Sequence, residues 1–391
     1  MRIYRGITYA RYRRFEEAVE EEFIAGVSEF EDKGCFCPQP ASHIASMTRS
    51  RKSSIACEEG RLSLSIYAPE SKSGKLPVMV WIHGGSYLFG GSEDPRYGAE
   101  RLVETGDVIV VRISYRLGAL GYLWLPEKGI ANLGLKDQQT ALRWINRNIA
   151  HFGGNPDNIT VFGQSAGAHS IASLIAVSEG EKLFCRALLQ SPPLGIRISP
   201  EEASNISAAF MKKLGKDIYE ADITEILEAQ NAVRKMKRGL CFMPVLSDNM
   251  HCPESTAKSG IKIIIGYNAQ DSSLFVRSAL GKFLYSIIGK LVERPVTRDT
   301  FIEPALRYSE RLRALGVQAG NYQISWYPEG NNLKSCHCIE LPFLFGNLKD
   351  WVISDMLIGM SKDEFEANSR KLLEIWTNFA KDGSFPEGNI L

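Results

Sequence analysis

A chain of 391 residues with 44% hydrophobic content can bury a large core, and Lys+Arg 46 against Asp+Glu 45 leave a formal net charge of +1. That balance excludes a polyanion-binding field: the basic clusters at 11–14 and 234–238 are short, diluted by acids, and read as solvated faces, so no nucleic-acid partner is expected. No run approaches the roughly eighteen apolar residues needed to cross a bilayer, and the first residues carry charge without an apolar signal core, so a cytoplasmic chain with no membrane partner is expected.

Apolar, β-rich runs then alternate with helical patterns: "LSLSIYAP" (62–69), "VMVWIH" (78–83), "DVIVVRISY" (107–115), "NITVF" (158–162), "RALLQS" (186–191), "IKIIIGYN" (261–268) and "NYQISWYP" (321–328). This alternation predicts an α/β fold with a mostly parallel central sheet flanked by helices. Between the strands, Leu135, Leu142, Ile145 and Ile149 fall on one helical face that ends at Gly153-Gly154. Residues 198–240 and 275–320 are helical in pattern and contribute no strand, so they read as cap insertions at the sheet's functional edge. Without a repeat or a flexible linker, residues 1–391 are expected to form a single domain. The cysteines number 8, and the spacings "CFC" and "CHC" suit neither a disulfide framework nor zinc pairs, so reduced thiols are expected.

The chemistry centres on "FGQSAGAHS" (162–170), a G-x-S-x-G pentapeptide with a strand before it and helical spacing of Ala168, Ile171, Ala172 and Ile175 after it. A serine on such a sharp strand-to-helix turn exposes its hydroxyl, which makes Ser165 the candidate nucleophile. A base must then come from six histidines. His337 is preferred over His43, His83, His151, His169 and His251 because it follows a strand's carboxyl end far along the chain. A metal held by His337 with Cys336 and Cys338 is a poor reading, since neighbours on an extended chain point to opposite sides. For the acid, Asp271 follows a strand, whereas its competitor Asp248 precedes one. The order Ser165, Asp271, His337 is the one expected of α/β-hydrolases. Oxyanion donors are expected from the N–H of Ala166 and from the "HGGS" loop (83–86) after a strand.

These stretches, together with "RGITYA", "CPQ" (37–39), "ISYRLGALGYL", "ANLGLKDQQTALRWINRNIAHFGGNPDNITVFGQSAGA", "GYNAQDSSLF", "CHCIELPFLFG" and "WTNFAKDG" (376–383), resemble the carboxylesterase type B family in order and across almost the whole chain. The resemblance implies the α/β-hydrolase fold and a serine carboxylic-ester hydrolase with Ser165 as nucleophile, His337 as base and Asp271 as acid. It implies oxyanion donors at Gly85, Ser86 and Ala166, small to medium uncharged esters and water as partners, and no cofactor or metal. The alternatives are an amidase or carbamate hydrolase with the same machinery, and a binding member without activity.

The sequence departs from the family pattern at several positions. Gln164 stands where the family usually has Glu, which removes a negative charge beside the imidazole, tunes the pocket, and disfavours choline esters. Asp271 replaces the commoner Glu, and Ser86 replaces the third glycine of the usual HGGG, which should narrow the acyl side. Arg61 occupies the position of the cysteine that pairs with the "CPQ" cysteine, so Cys37 is expected to stay reduced. Only 66 residues separate Asp271 from His337, fewer than the family carries, so a reduced helical cap and a wider, shallower gorge are expected.

Overall fold

The structure, a computed structural model, describes residues 1–24, 34–40, 57–70, 74–177, 181–237, 239–246, 260–346, 351 and 354–391. Asp248, His43 and His251 lie outside the described residues. Ten strands form one sheet: β1 (Arg2–Arg11), β2 (Val19–Glu20), β3 (Arg61–Ala68), β4 (Leu76–Ile82), β5 (Ile109–Ile113), β6 (Gly154–Gln164), β7 (Arg186–Gln190), β8 (Lys262–Asn268), β9 (Gln318–Ile324) and β10 (Gly388–Asn389). Their spatial order is β10-β9-β8-β7-β6-β4-β5-β3-β1-β2. The pairings from β5 to β10 are all parallel, and β3, β1 and β2 extend the sheet antiparallel.

The central parallel strands, β4 above all, are apolar on both sides because both faces are covered. Val78, Val80 and Ile82 of β4 point into one core, with Val111, Leu142, Ile145 and Ile171. Met79 and Trp81 point into the other, with Leu102, Val103, Leu372 and Trp376. The covering helices are α1 (Glu100–Gly106), α2 (Leu133–Asn148), α3 (Ala166–Val177) and, near the end of the chain, α8 (Lys362–Asp382). The four apolar positions expected on one face of α2 and its continuation are all buried, and Gly153 ends the run at φ 88.

The first cap segment folds as α4 (Pro200–Leu214) and α5 (Ile223–Met236), started by the Ser199 cap and the Asp222–Glu225 capping box. The second holds α6 (Ser273–Thr297), broken at Gly281, and α7 (Glu303–Ala314). Its last residues differ from expectation: β9 begins at Gln318, inside the stretch read as helical, and ends at Ile324. Strands β1, β2 and β10 were not anticipated either. Arg61 is buried and donates to the Gly6 carbonyl (3.2 Å), while Cys37 is a buried free thiol.

The direction of chain progression reverses between β4 and β6, because β5 lies on one side of β4 and β6 on the other. Ligand sites in open α/β sheets form at such a reversal, beyond the carboxyl ends of the strands. One buried ion pair ties this region together. Arg116 and Asp137 are both fully buried, joined by Nη2 to Oδ1 at 2.6 Å and Nε to Oδ2 at 2.8 Å, and the Arg116 N–H adds a third bond at 3.0 Å. The remaining Arg116 nitrogen donates to the Glu16 carbonyl at 2.6 Å, so every side of this pair has a partner. Asp137→Ala strands the buried guanidinium and is expected to lower unfolding free energy by about 3–5 kcal/mol in urea titration; a loss under about 1 kcal/mol contradicts this account.

Candidate active site

Strand β6 ends at Gln164 and α3 begins at Ala166, leaving Ser165 alone on the turn with φ 58. Non-glycine residues rarely hold this conformation, so the surroundings must enforce it. They do so by close packing. A Cβ at Gly167 would lie 2.0 Å from the Ile82 carbonyl oxygen, and one at Gly163 would lie 2.7 Å from the same atom. The Ser165 N–H donates to Gln190 O at 2.9 Å, and its carbonyl accepts from the His169 N–H at 2.9 Å.

The loop after β4 meets this turn from the neighbouring strand. Gly85, Ser86 and Tyr87 take positive φ in succession (116, 58 and 61), and a Cβ at Gly85 would sit 2.0 Å from the Phe89 carbonyl oxygen. Gly85 O accepts from the N–H groups of Leu88 and Phe89 at 3.0 and 3.1 Å, which closes the loop on itself. The N–H groups of Gly85, Ser86 and Ala166 donate to no acceptor among the described residues. Gly85 and Ser86 line one cavity with Gln164, Ser165 and His337.

His337 reaches that cavity from the segment after β9. His337 Nδ1 lies 2.8 Å from Asp271 Oδ1, and in the neutral ring a proton held there leaves the lone pair on Nε2. Asp271 is fully buried, and its Oδ2 accepts from the Asn268 N–H at 2.7 Å. The rings of Phe275 and Phe301 flank the imidazole, with centroids at 5.1 and 5.2 Å.

The Nε2 lone pair faces the side-chain nitrogen of Gln164 at 2.9 Å, and no described hydrogen bond joins Ser165 to His337. Gln164 therefore touches the imidazole directly, a closer role than the sequence suggested. Its amide N–H stabilises a neutral ring; a carboxylate there would stabilise the cation instead.

Sequence reasoning missed the support behind this pair. Glu340 is buried, with Oε2 accepting from Asn268 Nδ2 at 3.0 Å and Oε1 from Gln190 Nε2 at 3.4 Å. Burial pushes its carboxyl above the usual range, opposed by the Asn268 hydrogen bond. Asn268 Nδ2 also donates to Cys336 O at 2.9 Å, so one side chain ties the Asp271 loop to the His337 segment. The signal was a glutamate alone among apolar residues in "CIELPFLF".

The other described histidines are placed differently. His83 is buried, donates Nδ1–H to Gly84 O at 2.8 Å, and stacks on Tyr115; burial brings it down to about 4. His169 bonds the Tyr87 hydroxyl at 2.6 Å, and burial likewise brings it to about 4. Burial also raises the thiols of Cys336 and Cys338 well above their ordinary value.

The cavity walls are apolar apart from the residues above, with Leu274, Phe275, Leu341 and Trp351 among them. Arg96 also lines it, but its charge is met by Asp94 at 2.5 Å. The free volume is about 30 Å³, room for about two waters. Among the described residues, the ring of Phe275 at the start of α6 packs on His337 and lines this cavity. No described helix is long and apolar enough to cross a membrane.

Known proteins share this architecture. The profile of the carboxylesterase family matches residues 1–314. A protein of Rhodococcus erythropolis described as a probable N-octanoylanthranilate hydrolase is 33% identical over 405 residues, covering 97% of this chain and 89% of that protein. The para-nitrobenzyl esterase of Bacillus subtilis is 33% identical over 434 residues, covering 97% and 86%. A solved carboxylesterase of Geobacillus stearothermophilus superposes with a TM-score of 0.82 at 31% identity, covering 100% of this chain and 88% of that one. With its sheet, its serine turn and these matches taken together, the chain belongs to the carboxylesterase family and is a carboxylic-ester hydrolase of the α/β-hydrolase fold.

Proposed function

We propose that the chain cleaves small to medium uncharged esters through an acyl-enzyme on Ser165. The observation that carries this reading is the Asp271–His337 pair at 2.8 Å, with the imidazole in the same cavity as a serine held at φ 58. Ser165 Oγ attacks the ester carbonyl carbon as its proton passes to His337 Nε2. The oxyanion is received by the N–H groups of Gly85, Ser86 and Ala166, whose lack of acceptors among the described residues supports that role. The carbon–oxygen bond to the alcohol then breaks, and the alcohol leaves with the proton from Nε2. Water repeats the cycle on the acyl-serine and releases the acid.

Gln164 has to yield Nε2 for this sequence to run. Rotation of its amide presents Oε1 to the imidazolium N–H, so the same side chain can serve both protonation states. Asp94 meets the charge of Arg96, so Arg96 offers no free cation to an anionic substrate, in keeping with uncharged esters. A second reading, cleavage of N-acyl bonds, has support from the Rhodococcus relative, whose name gives an N-octanoyl compound. That chemistry needs stronger protonation of a poor leaving group.

Ser165→Ala is expected to lower kcat by about 10⁵-fold or more in a stopped assay with a p-nitrophenyl ester, with unchanged melting temperature. Asp271→Asn is expected to lower it by about 10⁴-fold, because the imidazole is held in the wrong tautomer; a near-neutral result removes Asp271 from the mechanism. A matched octanoate ester and octanoyl anilide separate the two substrate readings. The ester should lead in kcat/KM by at least about 100-fold, the order a positioned general acid supplies, and parity or reversal favours the N-acyl reading.

Gln164→Glu gives a test with a sign. A carboxylate beside His337 favours the imidazolium and raises its pKa. Since catalysis needs the neutral ring, the acidic limb of the kcat/KM profile should move to higher pH. Cationic esters should also gain relative to neutral ones. An unmoved limb in a variant with a lowered melting temperature assigns Gln164 a packing role only.

A further inference from the structure

Helix α6 breaks at Gly281 (φ 77, ψ 160), and beyond the break its polarity is inverted. Phe283, Leu284, Ile287, Ile288, Leu291 and Val292 recur at helical spacing and face solvent, with Phe283 78%, Ile287 62% and Leu291 77% exposed. The residues turned inward are Gly289, Glu293 and Thr297. A surface helix ordinarily presents the opposite arrangement, apolar inward and polar outward. The inner side does not rest on an apolar core: a cavity of about 580 Å³ lies there, with Lys282, Tyr285, Lys290, Glu293 and Lys334 among its lining residues. No described residue covers the outer face, and a continuous apolar face of this kind marks an interaction site.

The charges beside that face indicate the partner. Lys290 and Arg294, four residues apart, stand at the edge marked by Phe283, and neither has an ion pair among the described residues. The opposite edge, Val292 and Val296, has no acid. The one acid of the helix, Glu293, is buried and accepts the Tyr285 hydroxyl at 2.7 Å. A second copy does not complement this pattern. Antiparallel two-fold pairing brings the cationic edge against itself, and parallel pairing sets it against Val292 and Val296.

We propose that residues 282–296 dock the protein on the surface of an anionic lipid bilayer. The helix lies in the headgroup plane with its apolar face toward the acyl chains, and Lys290 and Arg294 meet the headgroup phosphates. Such an association needs no spanning helix. The carboxyl end of the docking segment adjoins the site. Ser272, next to Asp271, donates its N–H to Thr297 Oγ1 at 3.1 Å and its hydroxyl to Glu293 O at 2.9 Å. Phe275 before the break and Phe301 after the helix flank His337. Apolar esters concentrated in the bilayer are thereby brought near the cavity mouth, a consequence that rests on the ester-hydrolase reading, whereas the docking itself does not.

The docking is therefore read without turnover, by flotation of the Ser165→Ala protein with vesicles of phosphatidylcholine containing about 30% phosphatidylglycerol, an anionic surface of the kind that attracts basic segments. The protein should float with these vesicles and less with pure phosphatidylcholine. Lys290→Glu with Arg294→Glu should weaken binding at least about fivefold. Phe283→Ser, Ile287→Ser and Leu291→Ser together should abolish it. In the otherwise native chain, those three changes should leave hydrolysis of a soluble ester and the melting temperature intact without vesicles. Absence of flotation, or flotation unaffected by the triple change, overturns the proposal. So does a concentration-dependent dimer that the triple change dissolves, because the face then belongs to a second copy.

Discussion

The contact between the start of α3 and the end of β4 sets the terms for the rest of the site. Gly167 leaves room for the Ile82 carbonyl where a methyl group would lie 2.0 Å from it, and Gly163 relieves the same atom from the strand side. Because helix and sheet are this close, the single residue between β6 and α3 has no space to unwind, and Ser165 is held with φ 58. Conformational strain at a reactive residue persists only where packing over-determines it, and here two backbones supply that packing. The same closeness brings Gly84 against the Gln164 carbonyl, which fixes the loop with Gly85 and Ser86 relative to the serine.

The electrostatics of the site are arranged from behind. Asp271 is fully buried between a backbone N–H and an imidazole, and the amides of Asn268 and Gln190 bond a second buried carboxyl, Glu340. Asp271 Oδ1 receives the imidazole Nδ1–H, and Glu340 gains proton affinity from burial. Gln164 meets the other ring nitrogen, with an N–H toward Nε2. The sequence departure from Glu to Gln thus bears on the protonation of one ring, and the flanking phenyl rings keep water from levelling the difference.

The parallel strands were legible because burial on both faces writes them as continuous apolar runs, and Ser165, Asp271 and His337 were legible because each follows one of those runs. Strand β1 was not, since its bulges between Tyr4 and Ile7 and between Thr8 and Ala10 break the alternation that marks a half-buried strand. Strands β2 and β10 have two residues each, too few for any period. At the site, the direct contact between Gln164 and His337 depends on residues 173 apart in the chain, and no local pattern encodes it. The packing of Phe275 on the imidazole is equally a tertiary contact that cap length does not encode. The inverted face of α6 has a helical period in the sequence, but which side of that period faces solvent is a tertiary fact.

If Ser165 is the nucleophile, the acyl carbon of the substrate becomes bonded to its Oγ during turnover. Mass spectrometry of the peptide spanning residues 162–170, after rapid acid quench during turnover of a p-nitrophenyl ester, reads this directly. The peptide is expected to gain the mass of the acyl group at Ser165 and to lose it when substrate is exhausted. Steady turnover with the peptide unmodified at every quench time, or an acyl group found on another residue, contradicts it.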